Sequence, residues 1–190
     1  MQMLKDAILE RGKALNQDIL LVDSFLNHQV DVALMKAVGE TFAAHFANRG
    51  ITRVVTIESS GIAPASFTAL ALGLPLVIMK KQTSRILNGD LLQTTVRSFT
   101  KGTEYQLSVK HEFLNADDNI LLIDDFLASG EAAFGVITLA KQVGAKISGV
   151  GIVIEKAFQS GHKRLEDAGI DVYSLARIAS MSADRIEFVD

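Results

Sequence analysis

Four consecutive aliphatic residues, Ile120, Leu121, Leu122 and Ile123, run into two acids, Asp124 and Asp125, and from there into the small-residue stretch Ala128, Ser129, Gly130, Glu131 and Ala132. An unbroken aliphatic run, entered through the turn-rich residues 115–119, predicts a strand buried on both faces, as found inside a sheet layered with helices. The apolar residues 132–143 that follow, stopped by Gly144, predict a helix. Strand, turn and helix in that order are the building unit of parallel α/β folds.

The rest of the chain repeats the unit. Val30, Leu34, Val38, Phe42 and Phe46 recur at spacing four, which lays one apolar stripe along a helix with Gly50 as its stop. Residues 53–57 are short and β-branched and predict a strand. Glu58, Ser59, Ser60 and Gly61 then read as a loop, and a small-residue helix follows with Pro64 near its first turn and Gly73 past its end. Residues 76–79 predict a buried strand ending on Lys80 and Lys81. Residues 82–96 read as polar and irregular. After them Tyr105, Leu107 and Val109 alternate with Glu104, Gln106 and Ser108, so residues 97–111 read as a half-exposed hairpin or flap. Residues 147–154 predict a strand, 160–168 a short helix and 172–175 a last strand. The expected fold is a single α/β domain with a mostly parallel sheet flanked by helices.

Bulk properties narrow the partners. At 190 residues and 48% hydrophobic, with two prolines and no low-complexity tract, the chain suits one domain with a sizeable core. A formal charge of −3 gives no electrostatic footprint for nucleic acid or an anionic membrane surface. The absence of cysteine excludes disulfides and zinc–thiolate chemistry. His28, His45, His111 and His162 show no metal-ligand spacing and read as surface or helix-end residues. Charges every few residues near the N-terminus are unlike a secretion signal, and no apolar run reaches spanning length, so a cytoplasmic protein without a membrane partner is expected.

In a parallel sheet, ligands bind at the carboxyl ends of the strands. Glu58, Lys80, Asp124 and Lys156 all fall at predicted strand ends. Two adjacent carboxylates after four buried aliphatics carry a desolvation cost that calls for a partner, and vicinal sugar hydroxyls are one. Small residues at a strand-to-helix turn let backbone N–H groups, a hydroxyl and the helix N-terminus converge on a phosphate. Together they describe a ribose 5-phosphate site. Simpler readings stand beside it: the acids as polar residues ending a strand, and Ser129 as an ordinary helix cap. A Walker B strand also ends in acids, but no G-x-x-x-x-G-K-[ST] accompanies it, and Gly149 and Gly151 lack the third glycine of a dinucleotide fingerprint.

The thirteen residues 120–132 resemble the 5-phosphoribosyl-1-pyrophosphate motif of the type I phosphoribosyltransferases: a hydrophobic strand, two acids, two mostly apolar residues, then A-[ST]-G. The resemblance implies that fold, with a small hood contributed by residues 1–30 and 156–190 and a flexible flap at 97–111. It implies that Asp124 and Asp125 hold the ribose 2- and 3-hydroxyls and that Ala128, Ser129, Gly130, Glu131 and Ala132 hold the 5-phosphate. Glu131 departs from the glycine or lysine common there. Ser59, Ser60 and Gly61 after the first strand look like the family's pyrophosphate loop, often carrying a cis peptide, and Lys80 and Lys81 would add positive charge toward the same anion. Each of these, taken alone, reads equally as an ordinary turn or a solvated pair of lysines.

The chemistry implied is displacement of pyrophosphate from C1 of the ribose by a nitrogen nucleophile, with magnesium carried on the donor's phosphate oxygens and no protein-only metal cage. Over essentially all 190 residues, including the opening MLKDAILERG and the stretches ILLVDSFLNHQVD and GIVIEKAFQSG, the chain resembles the bacterial members of the family that take xanthine. That implies a homodimer with the base held by Leu20, Asn27 and Lys156. From the residues themselves, Lys156 ends a strand two positions before Phe158, so an ammonium and an aromatic face could meet one planar ligand. A transferase for hypoxanthine, guanine or adenine is the alternative within the family. Outside it stands a non-catalytic donor-sensing regulator, which would carry a DNA-binding extension or a basic face.

Overall fold

The computed structural model describes residues 1–82, 90–98, 103–183 and 185–189. Eight strands form one sheet in the order β10–β9–β8–β7–β3–β4–β6–β5. Its centre is parallel: β3 (Arg53–Ile57), β4 (Leu76–Gln82), β7 (Asn119–Leu127), β8 (Lys146–Lys156) and β9 (Val172–Ser182) all run the same way. Antiparallel strands finish both edges, β10 (Arg185–Phe188) against β9, and the hairpin of β5 (Leu91–Ser98) and β6 (Thr103–Lys110) against β4.

Helices cover both faces, which is why the central strands are aliphatic throughout. On one face Leu121, Ile123 and Val54 pack with α1 (Gln2–Arg11), α2 (Val32–His45) and α3 (Ile62–Leu72). On the other, Ile120, Leu122 and Val55 pack with α4 (Glu131–Val143) and with Leu165 of α5 (Gly161–Asp167). The alternation along β7 sends consecutive residues to opposite layers. Before α2, the chain folds a two-stranded ribbon, β1 (Lys13–Ala14) with β2 (Leu20–Leu21), and one π-helical turn, Asp23–Asn27, over the first layer.

Four expectations change. The apolar stripe of α2 starts one turn later than Val30, which is 39% exposed outside the helix. Asp31 caps the helix by accepting from the Leu34 amide at 3.1 Å, and Phe46 is its buried C-cap. Residues 91–96, expected to be irregular, are the first part of β5 and pair residue by residue with β6. The hairpin, expected to be half-exposed, is buried at its base: Leu107, Ser108 and Val109 are all buried, and Leu107, Val109 and Val96 join the cluster that holds α4. Polar Thr and Gln on β5 concealed the strand, because its partner is a short hairpin mate and not the central sheet. Finally, β9 runs to Ser182, well past residue 175, because β10 pairs with its far half. Residues 83–89 of the expected irregular region and 99–102 of the expected flap lie outside the described residues. Among the described residues no helix is long and apolar enough to cross a membrane.

Candidate active site

The carboxyl ends of β3, β4 and β7 open into one cleft of about 490 Å³. Glu58, Ser59 and Ser60 form one wall, Lys81 stands beside them, Asp124, Asp125 and Phe126 lie across from them, and Ala132 closes the end at the first turn of α4. Loop and acid pair, 66 positions apart from Glu58 to Asp124 in the sequence, therefore meet because β3 and β7 are parallel neighbours.

The first loop is held from behind. The Glu58–Ser59 peptide is cis, the feature the family resemblance implied. Glu58 does not face the cleft as a free carboxylate: one oxygen accepts the Lys81 amide at 2.7 Å and the other lies 3.2 Å from the Lys80 ammonium. This separates the two lysines. Successive residues of a strand point to opposite faces, and Lys81 lines the cleft while Lys80 is spent on Glu58. Gly61 has to be glycine on grounds of space. A Cβ there would meet Thr56 Oγ1 at 2.4 Å and Asp124 Oδ1 at 3.0 Å.

β7 carries the acid pair inside the strand, not after it, since the strand continues to Leu127. Asp124 is 8% exposed, and the Asp125 amide donates to its Oδ1 at 3.0 Å. Burial, and then the neighbouring Asp125, push the Asp124 carboxyl well above the ordinary carboxylate range, with Lys81 pulling the other way. Tyr105 of β6 stands near both halves of the site. The Lys81 ammonium lies 5.6 Å from its ring centre. Burial, with Asp124 and Glu131 adding to it, raises its phenol to about 12, so it stays a hydroxyl.

The second loop, Ala128 to Gly130, turns the chain from β7 into α4. Gly130 makes the turn with φ 86°, in the left-handed region that other residues enter only at a cost. The loop rests on the start of α5, where the Gly161 amide donates to the Ala128 carbonyl at 2.9 Å. Glu131, whose departure from the family pattern left it without a role, pairs with Arg164 of α5 at 2.5 Å.

The base-side residues are less gathered. Lys156, at the end of β8, is buried, with 9% of its surface exposed, and burial lowers its pKa while Asp18 works against that. Its ammonium donates to the Asp18 carbonyl and lies 5.6 Å from the Phe126 ring. The expected neighbour Phe158 is 44% exposed, so the aromatic face at Lys156 is that of Phe126. Leu20 is buried in β2, and Asn27 is exposed at the end of the π-helical turn. Phe126 is the residue that reading the sequence missed. Alternation alone would not have placed it, because Phe126 packs in the layer of Leu121 and Ile123 while Leu127 joins that of Ile120 and Leu122, so the alternation breaks after Ile123; Phe126 pairs with Ile154, two residues before Lys156 on β8. His162, read as a surface or helix-end residue, lies in the first turn of α5 with its Nδ1 2.8 Å from the buried Glu155, whose other oxygen accepts from Arg177 at 3.1 Å.

A parallel sheet with this two-loop cleft at its carboxyl edge is the arrangement of an enzyme that handles a phosphorylated ribose, and residues 16–178 match the phosphoribosyl transferase domain model. The chain belongs to the phosphoribosyltransferase family. It is 58% identical over 189 residues to "Xanthine phosphoribosyltransferase 1" of Clostridium botulinum, with all of both chains covered. To the xanthine phosphoribosyltransferase of Clostridium acetobutylicum it is 54% identical, again over the whole of both chains. Among solved structures, the adenine phosphoribosyltransferase of Giardia lamblia superposes with a TM-score of 0.78 at 24% identity, covering 92% of this chain and 97% of that one, which is a likeness of fold.

Proposed function

We propose that this chain transfers the 5-phosphoribosyl group of 5-phosphoribosyl-1-pyrophosphate to xanthine, giving xanthosine 5-monophosphate and pyrophosphate, a purine-salvage step of the cytoplasm. The observation that carries it is the meeting of the acid pair and the two loops in one cleft, with Phe126 leading from that cleft to Lys156.

In this reading the carboxylates of Asp124 and Asp125 accept hydrogen bonds from the two ribose hydroxyls, the turn from Ala128 to Ala132 takes the 5-phosphate, and Ser59, Ser60, Gly61 and Lys81 take the pyrophosphate. A purine nitrogen forms its bond to C1 as the bond from C1 to the pyrophosphate oxygen breaks; the electron pair leaves with pyrophosphate, and the proton that the nitrogen carried is lost to water. Positive charge develops on the ribose ring, so fixed anions and the exclusion of water matter more than a strong base. Lys80 takes no direct part, being paired with Glu58. The oxygen donors facing the cleft suit magnesium, which binds carboxylates and phosphates. Magnesium would come on the donor's phosphate oxygens, facing Asp124 and Asp125, and would neutralise the leaving pyrophosphate.

For the base, a polar ammonium over an aromatic ring fits an oxygen-rich purine. A site built on such contacts rejects a base that leaves them unpaired. Leu20, through its backbone, and Asn27 complete this side, and a homodimer is the assembly we expect. Incubating the protein with donor, magnesium and xanthine, hypoxanthine, guanine or adenine in turn tests the reading. Xanthine should turn over fastest, and faster turnover of another base would end the xanthine assignment.

A further inference from the structure

Glu131 puts a carboxylate on the first residue of α4, next to the turn that has to accept a dianionic phosphate. Left alone, it would repel that phosphate at short range. It also helps Asp124 to raise the Tyr105 phenol. Something has to cancel the charge, and α5 supplies the group. Arg164 Nη1 lies 2.5 Å from Glu131 Oε1, and the same nitrogen donates to the Ser129 carbonyl. The guanidinium is seated 4.8 Å from the Phe134 ring centre, which fixes its plane.

The Ser129 contact has a second effect. Across a trans peptide, the carbonyl of one residue and the N–H of the next point in opposite directions. The Ala128 carbonyl is taken by the Gly161 amide and the Ser129 carbonyl by Arg164. The N–H groups of Ser129 and Gly130 are therefore turned away from α5. The first N–H groups of α4 are free by helix geometry and join them in facing an anion. Gly161 permits the approach: a Cβ there would meet the Ala128 carbonyl oxygen at 2.3 Å.

We propose that Arg164 is a positioning residue for the donor's 5-phosphate, which both neutralises Glu131 and sets the peptide orientation of the Ala128 to Gly130 turn. This rests on the phosphoribosyltransferase reading above and explains the acid found where the family pattern has glycine or lysine. A guanidinium suits the task because one planar group serves a carboxylate and a carbonyl at once.

Ribose 5-phosphate and pyrophosphate, titrated separately by calorimetry, read the two halves of the cleft without turnover. Arg164→Met keeps the stem and removes the charge. It should weaken ribose 5-phosphate about tenfold and leave pyrophosphate within about twofold. Adding Glu131→Gln to that variant should bring ribose 5-phosphate back to within about threefold of wild type, because the uncompensated charge is gone. Arg164→Lys should fall between them. A merely structural role would weaken both ligands and would not be rescued by Glu131→Gln. If Arg164→Met does not fold, the double variant alone decides: tenfold weaker ribose 5-phosphate there overturns the proposal, as does wild-type affinity in Arg164→Met. Wild-type protein that binds ribose 5-phosphate but transfers it to no base would remove the transferase reading and leave Arg164 in place. Wild-type protein that binds no ribose 5-phosphate would remove both.

Discussion

Gly61 and Asp124 touch across two strands. The space a methyl group would need on Gly61 is already filled by Asp124 Oδ1 at 3.0 Å and Thr56 Oγ1 at 2.4 Å. The loop after β3 and the first acid of β7 are thus a single packed unit. Gly61→Ala forces one of them to move. We expect a loss of about 1–3 kcal/mol in stability, the usual cost of overpacking, and at least a tenfold rise in the KM for the donor. Chemical denaturation and steady-state kinetics on the same sample check it. Wild-type donor saturation in a folded variant would show that the contact is not part of the site.

Asp124 should be a site where function costs stability. Its carboxyl is raised above the ordinary value of 3.8 by burial and by Asp125, so the folded chain holds a proton that the unfolded chain releases. The stabilising contribution is complete below that ordinary value and is lost as the pH rises through the raised one. At neutral pH, then, Asp124→Asn should raise Tm, by roughly 2–4 °C for each kcal/mol recovered, and the gain should shrink toward about pH 4. Scanning calorimetry across that range checks it. A variant less stable than wild type at pH 7 would contradict the assignment.

Asp118 behaves in the opposite way. Burial alone would raise its carboxyl, but hydrogen bonds from Arg53 at 2.9 Å, the Asn115 amide at 2.9 Å and Thr52 at 3.1 Å outweigh that and hold it below 3.8. The stability this contributes is present above the ordinary value and is lost as the pH falls through the lowered one. Asp118→Ala should cost about 2–3 kcal/mol at pH 7, less than a fully buried pair because Arg53 is 20% exposed. Urea unfolding should also show wild type losing more stability than the variant between neutral and acid pH. Parallel losses would remove Asp118 as the tie between β3 and β7.

Lys156 should act on the base and not on the donor. Its ammonium is held by the Asp18 carbonyl, which is itself fixed because the Asp18 and Ile19 amides donate to the Asn16 side chain at 2.8 and 2.9 Å. Lys156→Met is expected to raise the KM for xanthine about tenfold or more while the KM for the donor moves by less than about twofold. Equal rises in both would mean that Lys156 holds the fold of the cleft and not the base.

The strand, acid pair and turn of residues 120–132 were open to reading in the sequence because they are local. Four aliphatics, two acids and a small-residue turn are contiguous, and strand-to-helix chemistry forces them to one place. The loop at Ser59 to Gly61 followed from the same rule on the neighbouring strand. The different surroundings of Lys80 and Lys81 were hidden, since they depend on where Glu58 turns its carboxylate. Phe126 and Arg164 were hidden for a related reason: their partners, Lys156 and Glu131, lie 30 and 33 positions away and meet them only through strand register and the packing of α5. The edge strands β5 and β10 also escaped, because an edge strand pairs on one side and needs no continuous aliphatic run.

Direct titration of the donor, with magnesium, into wild type and into the variant carrying both Asp124→Asn and Asp125→Asn tests the central claim. Wild type should saturate, and the variant should bind at least about a hundredfold more weakly, since both carboxyl groups that meet the ribose hydroxyls are lost from a cleft that stays otherwise intact. Equal saturation of the two folded proteins would contradict the account.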